Sequence, residues 1–269
     1  MSEIRETTLH LLQDATDKTL DLRLEQEVKP KPLTVIELKP DTKETFLRCL
    51  TEGSVVDWGD GTKSVVTAEE AQAKEVKHTY ADTSTTNRVV TIDGVIDRTK
   101  WQSASAFDSS ALTFVRSLGE LRGEAKDLFS NCSWLEKINN GIFDHCPEVT
   151  SFNSCFQECW RLGEIPIGLF DHCTAVTDFS YCFFECRMLR SVPTGLFDHC
   201  KKATNFEACF HNCQNASWSN TPYTMVNGMK VRLWERSSEN GFAKVESYYR
   251  CFRRCGGFTD YAEIPPDWK

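Results

Sequence analysis

The sequence predicts a mixed β/α protein in three parts: an N-terminal helical arm over residues 1–32, a small β-sandwich over 33–104 and a repeat solenoid over 105–269. Three patterns support this prediction. The first residues have the apolar spacing of an amphipathic helix, and the middle residues form short apolar runs between polar turns. The last part repeats itself with a period of 27 residues.

The arm combines an apolar helical face with a strand-like segment. The helical face in residues 1–18 contains Ile4, Leu11, Leu12 and Ala15. Leu20, Leu22 and Leu24 then alternate with charged residues before the KPKP break at 29–32. Because an apolar face needs a partner, we expect the arm to pack on its own domain or to serve as an anchoring or oligomerisation element.

The β-rich part contains five candidate strand segments separated by polar turns. They are LTVIEL, ETFLRCL, SVVDWGDGT, KEVKHTY and NRVVTIDGVI. The segments at 55–62, 78–80 and 89–94 together resemble the PKD-type immunoglobulin-like family.

The resemblance implies a PKD-like β-sandwich with Trp58 in its core. It also implies a tight hairpin turn that includes Gly59, Asp60 and Gly61. A calcium site at Asp57 and Asp60 is the alternative, but Asp and Gly are typical turn formers, and the turn is favoured.

The repeat is clearest in three copies of equal length. They are GIFDHCPEVTSFNSCFQEC (141–159), GLFDHCTAVTDFSYCFFEC (168–186) and GLFDHCKKATNFEACFHNC (195–213). A fainter copy precedes them, and a detached copy at 245–255 follows a non-repeating insertion at about 214–240. The apolar positions are fixed and their neighbours vary, as stacked units require, and the ending AEIPPDW departs from the pattern as a C-terminal cap should.

The cysteines follow the repeat. There are 13 in the chain, and the series at 132, 146, 159, 173, 186, 200 and 213 is spaced alternately 14 and 13 residues apart, so equivalent sulfurs should stack instead of converging on one point. This spacing favours buried, reduced packing residues over disulfides or a metal site, which stay open as alternatives. The predicted repeat core contains Cys146, Cys155, Cys159, Cys173, Cys182, Cys186, Cys200, Cys209, Cys213, Phe152, Phe179 and Phe206.

The repeat pattern VTxFxxCFxxCxxLxxIP resembles the BspA-like leucine-rich repeats of bacterial, mycoplasmal and phage surface proteins. The resemblance covers roughly residues 105–269 and implies a leucine-rich-repeat solenoid. Members of that family are generally adhesion or recognition proteins, so no catalytic residues carry over.

The sharpest enzyme-like feature is a recurring Asp-His pair. It occurs at Asp144-His145, Asp171-His172 and Asp198-His199. A metal-binding ladder is one interpretation, but Asp at the start of a turn beside a solvated His is favoured. GxGxxG, P-loop, HExxH and GxSxG motifs are absent from the sequence, and we predict no enzyme, cofactor or metal. A glycan-processing enzyme with a repeat appendage is least favoured, because no domain is left to house its pocket.

Variable positions between the fixed apolar residues supply a candidate binding surface. It consists of Trp160, Arg161, Tyr181, Phe184, Arg187 and Arg190. Aromatic and arginine side chains dominate recognition hot spots, although some of these residues could simply cover the edges of the repeats.

The predicted function is therefore non-enzymatic recognition or attachment. A net charge of −8 argues against a nucleic-acid partner, and no secretory signal or membrane span is evident. We expect a bacteriophage virion protein, a tail, fibre or head-decoration component that assembles in the host cytoplasm as a homo-oligomer. Residues 1–32 would bind other virion proteins, and the repeats would bind a host-surface protein or glycan. A bacterial cell-surface adhesin shown without its export signal is the alternative.

Overall fold

The chain divides into two compact units, Met1–Lys31 and Pro32–Lys269. The computed structural model describes residues 8–12, 21–25, 31–99, 104–217 and 219–269.

The first unit contains a pair of antiparallel strands, β1 (Thr8–Leu12) and β2 (Asp21–Glu25). Their register places Leu9 opposite Leu24 and Leu11 opposite Leu22. The helix predicted over residues 1–18 is therefore wrong, because β1 lies inside that range. An isolated helix of this length is marginal in water, whereas leucines at alternate positions of two segments suit paired strands.

The second unit begins with a six-stranded sheet of order β12-β10-β3-β8-β5-β6. Its strands are β3 (Thr34–Leu38), β5 (Val55–Asp57), β6 (Lys63–Val65), β8 (Arg88–Asp93), β10 (Leu112–Ser117) and β12 (Lys137–Ile138). Neighbouring strands are antiparallel except β10 and β12, which are parallel. Residues 33–104 and 105–269 thus share one sheet, since β10 and β12 lie beyond residue 104.

Two small sheets and one short helix complete this region. β4 (Glu44–Arg48) pairs with β7 (Glu75–Thr79), and β9 (Val95–Asp97) pairs with β11 (Glu120–Arg122). Helix α1 (Ala68–Ala73) is the one α-helix among the described residues. Thr67 and Glu70 form a reciprocal capping box at its N-terminus, which satisfies backbone donors that a helix this short would otherwise leave unpaired.

Successive repeat units are joined in register by backbone hydrogen bonds. In each bond a phenylalanine amide donates to the carbonyl of a cysteine in the next unit, from Phe129 to Cys155 (2.9 Å), Phe156 to Cys182 (2.9 Å) and Phe183 to Cys209 (2.8 Å). The detached copy continues the series, since Phe210 donates to the Cys251 carbonyl at 2.9 Å. Equivalent residues of successive units are therefore neighbours in space.

Phenylalanine rings from successive units stack in the interior. The longest series has ring centroids 5.1–5.6 Å apart and nearly parallel planes, and it contains Phe107, Phe129, Phe156, Phe183, Phe210 and Phe252. Two shorter series lie beside it, Phe152-Phe179-Phe206 and Phe143-Phe170-Phe197. Each aromatic contact adds about 0.5–1.5 kcal/mol to the burial of its rings, so the stacks hold the units in register.

The predicted fold class is wrong. The described residues form strands in five small sheets, with turns and isolated bridges such as Ser151–Asp178 in the repeats, and not a helical arm with a leucine-rich-repeat solenoid. Backbone geometry explains why the CFxxC segments form turns and not α-helices: the residue before each of the two cysteines is left-handed, for example Ser154 (φ 56°) and Glu158 (φ 58°). A left-handed residue ends a right-handed helix, so each turn stops before an α-helix can form.

The insertion after the third clear copy is a hairpin of β13 (Tyr223–Val226) and β14 (Met229–Arg232). Its turn is Asn227-Gly228, both with positive φ, the conformation that suits a two-residue hairpin loop. At the end of the chain Trp268 stacks on Tyr248, with ring centroids 4.6 Å apart. None of the helices in the described residues has the length and apolar character needed to span a membrane.

Candidate functional site

The structure places the predicted repeat core in the interior of the second unit. The nine cysteines and three phenylalanines named from the sequence are buried, and all 13 cysteines of the chain are free thiols. Several thiols donate to carbonyl oxygens of the preceding unit, from Cys159 to Phe129 (3.3 Å), Cys186 to Phe156 (3.2 Å) and Cys213 to Phe183 (3.2 Å).

Burial lowers the reactivity of these thiols. It raises the pKa of Cys146 and of Cys200 to about 12, and it raises the pKa of Cys159 and of Cys182 well above the ordinary value. A thiol with a raised pKa stays protonated at neutral pH and is a poor nucleophile and metal ligand. The repeat cysteines therefore contribute packing and weak hydrogen bonds.

Trp58 and the glycine-rich turn lie at the other end of this unit's sequence. Trp58 is buried and stacks on His78, with ring centroids 4.7 Å apart. Gly59 and Gly61 have positive φ, and a Cβ on Gly59 would meet the Val89 carbonyl oxygen at 2.4 Å. Only glycine fits such a close approach.

Asp57 and Asp60 are occupied by contacts of this turn. Asp60 accepts hydrogen bonds from the amide and hydroxyl of Thr62, and its other oxygen lies 2.8 Å from His78 Nε2. Burial opposes ionisation of Asp60, but these hydrogen bonds lower its pKa to about 2. Asp57 accepts from the Gly59 amide and pairs with Lys63. Across the described ranges, no group of three or more His, Cys, Asp or Glu side chains could hold a metal ion.

The Asp-His pairs lie on the surface of the repeats. The amides of Asp144, Asp171 and Asp198 each donate to the carbonyl of the glycine three positions earlier, so each aspartate closes a Gly-x-x-Asp turn. The histidines that follow them are exposed. The closest approach between an aspartate of one unit and a histidine of the next is 4.0 Å, between Asp144 and His172.

Four variable residues form an aromatic–arginine ridge, defined by Trp134, Trp160, Arg161 and Arg187. The guanidinium of Arg161 lies 3.8 Å from the ring centre of Trp134, and that of Arg187 lies 5.5 Å from the ring centre of Trp160. In both pairs the arginine belongs to the unit that follows the tryptophan, so register alone places each cation over the ring of the preceding unit. Trp160 remains 43% exposed and Trp134 36% exposed, which leaves ring surface available to a partner.

An open groove of about 1190 Å³ adjoins the ridge. Arg161 belongs to both, and the groove is also lined by Arg190, Ile167, Met188, Glu136 and Glu164. Ile167 is 81% exposed and Met188 is 45% exposed. The groove therefore combines exposed apolar side chains with charges of both signs.

Tyr181 and Phe184 lie in a different cluster. The Phe184 ring is 5.6 Å from Tyr181 and 4.9 Å from His211, and the Tyr181 hydroxyl donates to Glu207 at 2.8 Å. The predicted binding surface thus divides into two: Trp160, Arg161, Arg187 and Arg190 at the ridge and groove, and Tyr181 with Phe184 beside His211.

Trp134, Ile167 and Met188 were not predicted as surface residues. For Trp134 and Met188 the repeat does contain a signal, because Trp134, Arg161 and Met188 occupy equivalent positions of three units. That column holds an aromatic, a cationic and a flexible apolar side chain in turn, which is the variability expected of a recognition position.

Comparison of the chain with protein-family models, curated proteins and solved structures finds no match.

Proposed function

We propose that the protein is a non-enzymatic recognition protein that binds a macromolecular partner through the aromatic–arginine ridge and the adjoining groove. The observation that carries this proposal is the ridge itself. Trp134 and Trp160 are large aromatic residues held at the surface, each with an arginine of the next unit over its ring.

The different locations of the fixed and the variable repeat positions support the same function. The fixed phenylalanines and cysteines are buried in the stacks, where they hold the units together. The side chains that change between units lie outside, where substitution alters a binding surface without disturbing the core. Tryptophan and arginine have large contact areas and several binding modes, which is why they dominate interface hot spots.

Rigidity adds to the suitability of this surface. The backbone beneath the ridge is fixed by hydrogen bonds between units, such as Met188 N to Trp160 O at 3.0 Å. A preorganised surface loses less conformational entropy when a partner binds.

The setting we propose is a bacteriophage virion, as a tail, fibre or head-decoration component. The likeness of the repeat sequence to repeats of bacterial and phage surface proteins supports this setting. An attachment role for residues 1–32 belongs to the same proposal, although most of that segment lies outside the described residues.

Peptide mass spectrometry tests the proposed setting. Density-purified phage particles from a lysate of the source culture are analysed beside peptides shaved from intact cells. We expect the protein in the particles at a fixed ratio to the other structural proteins. Recovery from the cell surface alone would instead make it a bacterial adhesin, and recovery from neither fraction would reject a surface recognition role in both settings.

A further inference from the structure

A second surface, which adjoins the ridge where Glu185 pairs with Arg187, changes from aromatic to cationic along successive units. The amide of Ala208 donates to the Tyr249 carbonyl (3.0 Å) and that of Asn212 to the Arg253 carbonyl (2.8 Å). This register makes Arg250 the counterpart of Ala208, and Arg253 the counterpart of His211.

Two columns of side chains result. The first is Tyr181, Ala208 and Arg250, and the second is Phe184, His211 and Arg253. Arg254 follows Arg253 and is exposed. Ring centroids of neighbouring units are 5.1–5.6 Å apart in the longest stack. A ligand that spans three units would therefore contact aromatic side chains at one end of this surface and arginines at the other.

The aromatic end presents a partly exposed platform. Phe184 lies between Tyr181 and His211, at centroid distances of 5.6 Å and 4.9 Å. Tyr181 is held in place by its hydrogen bond to Glu207. These contacts fix the rings while leaving part of each accessible.

The arginine end is distinguished by its lack of acidic partners. Most surface arginines in the described residues pair with a carboxylate, as Arg48 does with Glu75 and Arg122 with Glu120. Within the described residues, Arg250, Arg253 and Arg254 have no carboxylate oxygen within 4.0 Å.

The carboxylates on this surface are already engaged. Glu185 pairs with Arg187 at 2.6 Å, and Glu207 accepts the hydrogen bond from Tyr181. The local charge is therefore positive in a chain whose net charge is −8.

Two buried polar atoms of this surface lack a hydrogen-bond partner among the described residues. They are Arg250 Nε and His211 Nδ1. Burial lowers the pKa of His211, and the positive charges of Arg253, Arg250 and Arg254 lower it further against the opposing effect of Glu185. All three arginines therefore act on one imidazole.

We propose that this surface, defined by Tyr181, Phe184, His211, Arg250, Arg253 and Arg254, binds an anionic saccharide. The planar guanidinium groups match carboxylate or phosphate oxygens, and the aromatic platform matches the apolar face of a sugar ring. A single-stranded nucleic acid would use similar residue types, but it needs a positively charged groove along the whole bound strand, and here the arginines lie at one end of the surface only. The inference rests on the proposed recognition function and adds a ligand class at a second surface.

Direct titration of the full-length protein tests the inference. The probes are an oligogalacturonate and a phosphorylated mannan oligosaccharide, each beside its neutral form, the methyl ester and the dephosphorylated oligosaccharide. We expect at least one charged probe to bind at least about tenfold more tightly than its neutral form, and to weaken as salt is added.

Variants then localise the site. We expect Arg253→Gln with Arg254→Gln to weaken binding at least about tenfold, and Phe184→Ala to weaken it while the charge is retained. The matched control is Arg122→Gln, an exposed arginine paired with Glu120, which should leave affinity unchanged. Thermal unfolding of every variant establishes that it is folded.

Several results would overturn the inference: no binding of either charged probe, equal binding of the neutral forms, equal loss in the control variant, or tighter binding of a single-stranded oligonucleotide. Trp160→Ala separates the two proposals, because it alters the ridge and should leave saccharide affinity unchanged. Absence of saccharide binding by the wild-type protein, with attachment to particles or cells retained, overturns this inference and leaves the proposed function standing.

Discussion

Phe183 offers the sharpest test of how the repeat units are held together. Its ring is fully buried between Phe156 and Phe210, with both centroids 5.5 Å away and planes within 12° of parallel. Replacing it by alanine leaves a cavity and breaks both stacks. Truncation of a buried phenylalanine costs about 3–5 kcal/mol, of which the two lost stacks account for about 1–3 kcal/mol.

Urea unfolding followed by circular dichroism measures this cost. We expect Phe183→Ala to lower the free energy of unfolding by about 3–5 kcal/mol with an unchanged slope against urea. Phe184→Ala is the matched control, since the neighbouring ring is partly exposed and its two aromatic contacts are tilted, so its loss should cost about 1–2 kcal/mol. A loss below about 1 kcal/mol for Phe183→Ala, or equal losses for the two variants, would refute the stacked core.

Three further predictions follow from the core, the Gly-x-x-Asp turns and the Asp60 contact. The 13 buried thiols should react with a thiol reagent only after denaturation, and rapid labelling of several in the native protein would contradict their packing role. Gly168→Ala should cost about 1–2 kcal/mol, because φ is +76° and the new Cβ would lie 3.1 Å from an Asp171 carboxylate oxygen. Gly163→Ala, which meets no atom within 4 Å, should be nearly neutral in the same unfolding assay, and equal costs would count against the turn. The folded pKa of Asp60 lies below its ordinary value, so its contribution is present above about pH 4 and is lost as the pH falls towards 2. Asp60→Asn should flatten that part of the stability profile, and an unchanged profile would show that Asp60 is not its source.

The sequence carried enough information to identify the repeat unit but not its backbone. Phenylalanines and cysteines that recur at a fixed period reveal which positions are equivalent, because packing tolerates little change there. Left-handed residues such as Tyr181 and Glu185 leave no such mark, since their side-chain types are not those that usually signal positive φ. The sequence therefore reveals the repeated positions but not the left-handed residues that shape the turns between them.

Long-range pairing accounts for the other errors. The segment at 8–12 has apolar residues compatible with a helical face, and only its pairing with 21–25 selects a strand. Likewise, β10 joins the sheet of the preceding region by pairing with the distant β3, and β12 joins it by pairing with β10, which local patterns do not encode.

The sequence predicted only part of the candidate site. The remaining contacts depend on which residues of successive units lie side by side. Arg161, Arg187 and Trp160 were recognised by residue type, but their cation–π partners follow from the offset of one unit between each tryptophan and its arginine. Arg250, Arg253 and Arg254 lie in the detached copy at 245–255, but they were not predicted as a site, because only the pairing of that copy with residues 208–212 brings them together with His211.

We propose that the aromatic–arginine ridge binds the partner. The affinity of the protein for the particles or cells that carry this partner can be measured with and without an intact ridge. The wild-type protein is compared with Trp160→Ala combined with Arg187→Gln, and with the exposed hairpin control Met229→Ala, for binding to the particles or cells that yield the protein. The account predicts at least about a tenfold loss of affinity for the ridge variant, with unchanged unfolding and an unaffected control. Equal affinity of all three proteins would contradict it.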